Sequence, residues 1–290
     1  MKRESRNFKI NKEEKMKIAV IGSGTMGSGI AQVLAPKHEV VVRDIAPEAL
    51  KAAQERIKKG YEKNVSKSKM TQDEMDKALK NLSVSDSIED IRDADLIIEA
   101  ATENPTIKKA IFKELDEVCK ESTILASNTS SLSITDIGAA TSRPDKVIGM
   151  HFFNPVPAMK LIEVISGQLT DEAVKKTIID LSNEIGKTPV EVAEAPGFVV
   201  NRILIPMINE GIGIYAEGVA SVEDIDNAMK LGANHPMGPL ELGDLVGLDV
   251  VLAIMDVLYD EFKDPKYRAH TLLRKMVRAG QLGRKLKRFL

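Results

Sequence analysis

Residues 17–27 constrain this chain more than any other stretch. An apolar run, KIAVIG at 17–22, ends in a glycine, and the spacing from Thr25 to about Leu34 is helical. Between them lies Gly22-Ser23-Gly24-Thr25-Met26-Gly27, a G-x-G-x-x-G pattern. The run has the length and composition of a buried parallel strand. The pattern therefore falls where a strand turns into a helix, the setting in which it binds a dinucleotide. Gly22 permits the tight turn, Gly24 lets backbone approach a pyrophosphate, and Gly27 lets helix and strand pack closely. The helix start, at Thr25 and Met26, turns N–H groups and a partial positive charge toward the phosphates. Asp44 closes a β-branched run at 39–44, about twenty residues on, where an acid takes the ribose hydroxyls. A carboxylate there repels a 2′-phosphate, so the expected cofactor is NAD rather than NADP.

The rest of the chain extends that unit. Strand-like runs recur at 96–100, 123–127, 147–151, 161–165 and about 189–192. Helical patterns separate them at 47–65, from Thr71 (with Glu74 as its capping-box partner), at 105–120 and at 171–185. Alternation of this kind is the signature of an open, doubly wound parallel sheet. After Pro196 and Gly197 only helical patterns remain, at 199–217, 222–231, 240–260 and 272–279. The expected fold is α/β: a Rossmann-type doubly wound sheet domain over 16–195, followed by an all-α domain over 196–290. Residues 1–15 carry six basic and three acidic side chains without an apolar core, which reads as a disordered extension and not a secretory signal. Met16 could itself be the start.

Composition narrows the function classes. The net charge is −2, which does not suit a chain built to grip nucleic acid. No apolar run approaches the ~18 residues of a membrane span. One cysteine, Cys119, excludes an internal disulfide and a multi-cysteine zinc site, and a reducing, cytoplasmic setting is expected. With four histidines and no H-E-x-x-H spacing, no metal centre is expected.

Ligands in such folds bind beyond the carboxyl ends of the strands, and three polar clusters fall there. They are Glu103 with Asn104, Asn128 with Thr129, Ser130 and Ser131, and His151 with the Phe152–Pro155 stretch written FFNP. Glu163 interrupts an apolar strand, LIEVI at 161–165, where an ionised carboxylate is costly unless paired. His151 is the available partner, and a carboxylate beside a histidine orients the ring and stabilises the imidazolium. Spacing alone leaves open a Glu163 facing water at a strand edge and a His151 satisfied by backbone. His38, His235 and His270 read as solvated or structural, His38 as exposed.

Several long segments together resemble the 3-hydroxyacyl-CoA dehydrogenase family. They are IGSGTMGSGIAQ (21–32), SNTSSLSI (127–134), GMHFFNPVPAMKLIEVI (149–165), APGFVVNRIL (195–204) and LGANHPMGPLELGDLVGLD (231–249). The resemblance implies reversible, NAD-dependent oxidation of an (S)-3-hydroxyacyl-CoA, short-chain 3-hydroxybutyryl-CoA first. Longer-chain substrates, hydroxyadipyl-CoA and a catalytically weak cofactor-binding homologue are the alternatives. It implies His151 as the base at the substrate hydroxyl, Glu163 as its orienting carboxylate, and Ser130 and Asn201 as hydrogen-bonding partners of the substrate oxygen. It places Asn128, Asn154, Glu103 and Lys108 among the cofactor contacts, with Lys285 matching a family lysine near the cofactor. Lys67 and Lys69, in the helical pair at 47–81, are candidates for the CoA phosphates, against the plainer reading of a solvated lysine-rich face. A homodimer built through the C-terminal helices is expected. After Lys285 the chain leaves the family pattern, reading LKRFL where the family continues Thr-Gly-x-Gly-Phe-Tyr.

Overall fold

A computed structural model describes residues 15–284. The N-terminal extension up to residue 14, Lys285 and the atypical ending lie outside the described residues. The chain divides into two compact units, one running to Glu194 and the other from Ala195.

The first unit begins with β1 (Lys17–Ile21), α1 (Thr25–Leu34), β2 (Glu39–Arg43), α2 (Pro47–Ser66), α3 (Gln72–Lys80) and β3 (Leu82–Ser85). It continues through β4 (Leu96–Glu99), α4 (Pro105–Val118), β5 (Ile124–Ser127), α5 (Ile134–Gly138) and β6 (Val147–Phe152). It ends with β7 (Leu161–Ser166), α6 (Glu172–Glu184) and β8 (Thr188–Ala193). Local chemistry accounts for most boundaries. Pro47 and Pro105 open their helices, where a missing N–H costs nothing. Thr71 and Glu74 form both bonds of a capping box. Asn104, part of a polar cluster in the sequence, caps α4 by accepting from the Ile107 N–H at 3.1 Å.

The eight strands among the described residues join one sheet, ordered β3-β2-β1-β4-β5-β6-β7-β8. It is mostly parallel, and it departs from the expected all-parallel arrangement at one edge. β7 runs antiparallel to β6, and β8 pairs parallel with β7. The cause is the short link 153–160, since a parallel crossover needs about a dozen residues or more. β3, too short and too rich in serine to stand out in the sequence, adds the opposite edge. The fully buried Ile18, Val20, Leu96 and Ile98 sit in the core that the sheet shares with Ile30 and Leu34 of α1.

His38 is 2% exposed, which corrects the expectation of a solvated ring. Its Nδ1 accepts from the Met16 N–H at 3.4 Å, and its Nε2 lies 3.6 Å from a Glu184 carboxylate oxygen. Burial pushes the imidazole below its ordinary value; Glu184 opposes this, and Lys37 and Lys15 add to it. The ring is thus held neutral in the fold, and the unfolded chain binds the extra proton first. Stability should therefore fall as pH drops below about 6.5 toward the lowered folded value. Melting temperatures of wild type and His38→Gln, followed from about pH 7 to pH 5.5, should fall more steeply for wild type. Parallel curves would show that His38 does not contribute.

The second unit holds α7 (Val200–Ala216), α8 (Val222–Gly232), α9 (Pro239–Val246), α10 (Leu248–Phe262) and α11 (Thr271–Arg278). The single helix expected at 240–260 is two helices, because Gly247 takes φ +103° and breaks the run. Ile208 and Ile212 of α7 share a core with Leu248, Val251 and Leu258 of α10 and Leu273 of α11.

Candidate active site

The parallel strands β1, β4, β5 and β6 deliver the polar residues to one edge of the sheet. Ile21, Glu99, Ser127 and Gly149 are successive register partners there. At β1 the backbone turns sharply at Gly22, with φ +96°. A Cβ on Gly22 would meet the Ala100 carbonyl oxygen at 2.8 Å, and one on Gly27 would meet the Gly22 oxygen at 1.8 Å. Gly24, by contrast, has open space where its Cβ would be. α1 starts there with no side chain capping it, and Gly24 and Thr25 are exposed beside a half-buried Met26. This cradle suits a pyrophosphate.

Asp44 completes the site at the end of β2. Its Oδ2 accepts from the Ser23 N–H at 2.8 Å and the Ser23 hydroxyl at 2.7 Å, and its Oδ1 accepts from the Ala46 N–H at 3.1 Å. Burial alone would raise this carboxyl, but the bonds from Ser23, Ala46 and Ile45 outweigh it and hold Asp44 below the usual carboxylate range. The acid is ionised beside the glycine turn, as ribose recognition requires. Arg56 of α2, which no sequence pattern singled out, donates to Ser28 Oγ at 2.7 Å and to the Ser23 carbonyl at 3.3 Å. It braces the same turn from outside.

On β6 and β7 the two open readings of His151 and Glu163 resolve into one. The residues are direct partners across the antiparallel pair. Nδ1 of His151 lies 2.8 Å from Oε2 of Glu163, with the residues 6% and 1% exposed. A carboxylate accepting from Nδ1–H places the lone pair of the neutral ring on Nε2. Phe153 packs against the imidazole with centroids 4.4 Å apart. Asn128 ties this strand end to β5: its side-chain oxygen accepts from the Phe152 N–H at 2.9 Å. Asn154 follows in an exposed turn.

A second cluster forms between β4 and β5. Glu103 Oε1 accepts from the Thr129 hydroxyl at 2.7 Å, the Ser130 N–H at 2.8 Å and the Ser130 hydroxyl at 3.1 Å. Lys108 is only 2% exposed, and its ammonium lies 2.6 Å from Glu99 and 3.6 Å from Glu103. Glu99 escaped the sequence reading, although it carries the signal that marked Glu163, an acid in an apolar strand (LIIEA). Lys67 and Lys69 are exposed in the turn between α2 and α3. Asn201 belongs to the second unit, in the first turn of α7. Among the described residues no His, Cys, Asp and Glu cluster could hold a metal ion. Nor is any helix among them long and apolar enough to cross a membrane.

Comparison with known proteins identifies the family. A family model described as 3-hydroxyacyl-CoA dehydrogenase, NAD binding domain, matches residues 17–195, and one for the family's C-terminal domain matches 197–289. A 3-hydroxybutyryl-CoA dehydrogenase of Clostridioides difficile is 63% identical over 273 residues, covering 94% of this chain and 97% of its own. The mitochondrial hydroxyacyl-coenzyme A dehydrogenase of Homo sapiens is 43% identical over 276 residues, covering 92% of this chain and 88% of its own. A solved (S)-3-hydroxybutyryl-CoA dehydrogenase from Ralstonia eutropha superposes with a TM-score of 0.92 at 48% identity, covering 95% of this chain and 98% of that one. The glycine cradle with its ionised Asp44 and these matches lead to one conclusion: the chain belongs to the 3-hydroxyacyl-CoA dehydrogenase family and is an NAD-dependent oxidoreductase.

Proposed function

We propose that the chain catalyses the reversible oxidation of (S)-3-hydroxybutyryl-CoA to acetoacetyl-CoA, with His151 as general base and Glu163 as its partner. The observation that carries this is the buried 2.8 Å pair at the end of β6 and β7. When bound, NAD⁺ supplies the acceptor for the hydride that leaves carbon 3. His151 takes the hydroxyl proton at Nε2 as that bond breaks, and returns it in the reverse direction. Glu163 holds the ring in the right tautomer and stabilises the imidazolium. Ser130, presented by the Glu103-bound turn, steadies the substrate oxygen as charge develops on it. The same role for Asn201 rests on the family resemblance alone. So do the cofactor contacts of Asn128, Asn154, Glu103 and Lys108, and the CoA contacts of Lys67 and Lys69. Oxidation of the alcohol by NAD⁺ releases a proton, so it is favoured at higher pH and reduction at lower pH.

The test is acetoacetyl-CoA-dependent oxidation of NADH, with NADPH run in parallel. Turnover preferring NADH is expected. Asp44→Asn, which keeps the shape and removes the charge, should narrow that preference by about tenfold or more, some 1.4 kcal/mol. A preference for NADPH in wild type would overturn the role given to Asp44. Binding of NADH without turnover would favour a catalytically weak homologue. Comparing kcat/KM along a series of acyl chain lengths separates the short-chain reading from longer-chain and hydroxyadipyl substrates.

The partner we infer is a second copy of the chain, docked through the C-terminal helices. Ile203, Leu231 and Leu245 are large apolar side chains left 67%, 86% and 50% exposed there. Light scattering should read twice the 31.8 kDa of one chain; a monomer at working concentration would contradict it. The buried, unpaired Cys119 fits a reducing compartment such as the cytoplasm.

A further inference from the structure

Glu99 is the one fully buried acid of the site edge for which the mechanism above has no use. It ends β4, flanked in register by Ile21 of β1 and Ser127 of β5. Its Oε1 accepts from the Ala101 N–H at 2.8 Å. Its Oε2 accepts from Lys108 Nζ at 2.6 Å and from the Ser127 hydroxyl at 3.0 Å. The Asn128 N–H donates to its backbone carbonyl at 2.8 Å. The segment that Ala101 begins is the one against which Gly22 packs. Glu99 thus holds both the segment behind the glycine turn and the entry to the 128–131 turn.

The charge arrangement gives it a sharper role. One ammonium, on Lys108, stands between two carboxylates. Glu99 takes the short contact at 2.6 Å and Glu103 is left at 3.6 Å. With Lys108 satisfied, Glu103 turns its other oxygen to Thr129 and Ser130. A buried ammonium that loses its carboxylate must find another, and Glu103 is within reach. We propose that Glu99 is a positioning residue: by occupying Lys108 it leaves Glu103 to hold the turn that presents Ser130 to the substrate oxygen. This rests on the reading of Ser130 given above.

A double-mutant cycle on the full-length chain tests it. Glu99→Gln should lower kcat for acetoacetyl-CoA reduction by about tenfold or more, within the ~10²–10³-fold that loss of a whole oxyanion donor costs, measured at saturating NADH so that any change in cofactor binding is read separately in KM. In a Ser130→Ala background the same substitution should cost less than about threefold, because the residue it acts through is gone. If Glu99→Gln does not fold, Glu99→Asp, which keeps the charge and withdraws it by one methylene, is read in the same cycle. It should show a smaller kcat loss that again disappears with Ser130→Ala. A variant that melts earlier but keeps wild-type kcat would overturn the proposal, leaving a structural ion pair. So would losses that multiply across the cycle. Absence of turnover in the wild type would instead defeat the proposed function, and this role with it.

Discussion

His151→Ala should turn over acetoacetyl-CoA and NADH about 10²–10⁴-fold more slowly than wild type, the usual cost of losing a general acid–base. NADH binding, followed by fluorescence titration, should stay within a few fold, because the glycine turn follows β1 and Asp44 follows β2, away from β6 and β7. The substitution also removes the imidazole bonded to Glu163, which is 1% exposed. Breaking a buried pair in this way typically costs about 3–5 kcal/mol, so kcat must be measured below the melting temperature of the variant. His151→Gln retains a donor for Glu163 and separates the two effects: it should recover stability without recovering turnover. Near-wild-type activity in either variant would remove the central mechanistic claim.

The second large effect is expected at Gly27. A Cβ there would lie 1.8 Å from the Gly22 carbonyl oxygen and 2.9 Å from its carbon, so backbone has to move. Gly22 cannot yield easily. Its N–H is bonded to Arg43 O at 2.8 Å, and Ala100 presses on its other side. Displacement therefore passes into the turn and the start of α1, to which we assign the cofactor phosphates. Overpacking of this kind costs ~1–3 kcal/mol, and Gly27→Ala should weaken NADH binding by about 10–100-fold while lowering the melting temperature. Gly24→Ala is the control with a different signature. Its Cβ meets nothing in the chain, so stability should hold while NADH binding weakens. If both variants bind NADH like wild type, the cofactor does not lie on this turn.

Much of this site was legible in residue order, and the gaps have physical causes. The glycine turn and Asp44 could be read because a strand, a left-handed turn and a helix start are local events set by a few side chains and φ angles. Glu163 stood out because an acid among Leu161, Ile162, Val164 and Ile165 demands a partner. Glu99 makes the same demand within LIIEA, but the sequence offers it no partner at a strand-pairing distance, and Lys108 and Ser127 reach it only in the folded sheet. Arg56 left no trace at all: it reaches Ser23 and Ser28 across more than twenty-five positions. β3 alternates Leu82, Ser83, Val84 and Ser85 with the strand period, but four residues are too few to distinguish that alternation from chance. His38 looked exposed because it follows a helix end, and its contacts with Met16 and Glu184 form only in the folded chain.

The sequence by itself determined the fold class, the glycine turn, the acid that follows β2 and the family, because each is carried by periodicity or by residues close together in the chain. The tertiary structure alone decided which charges meet. Whether Glu163 reaches His151 turns on β7 reversing direction after the short 153–160 link and on one register, His151 opposite Glu163; a slip of one residue would send the carboxylate to the other face of the sheet. Whether Lys108 answers to Glu99 or to Glu103 turns on about one ångström between its two partners, 2.6 Å against 3.6 Å. Strand direction, register and competition for a buried charge are non-local, and they exist only once the sheet has formed.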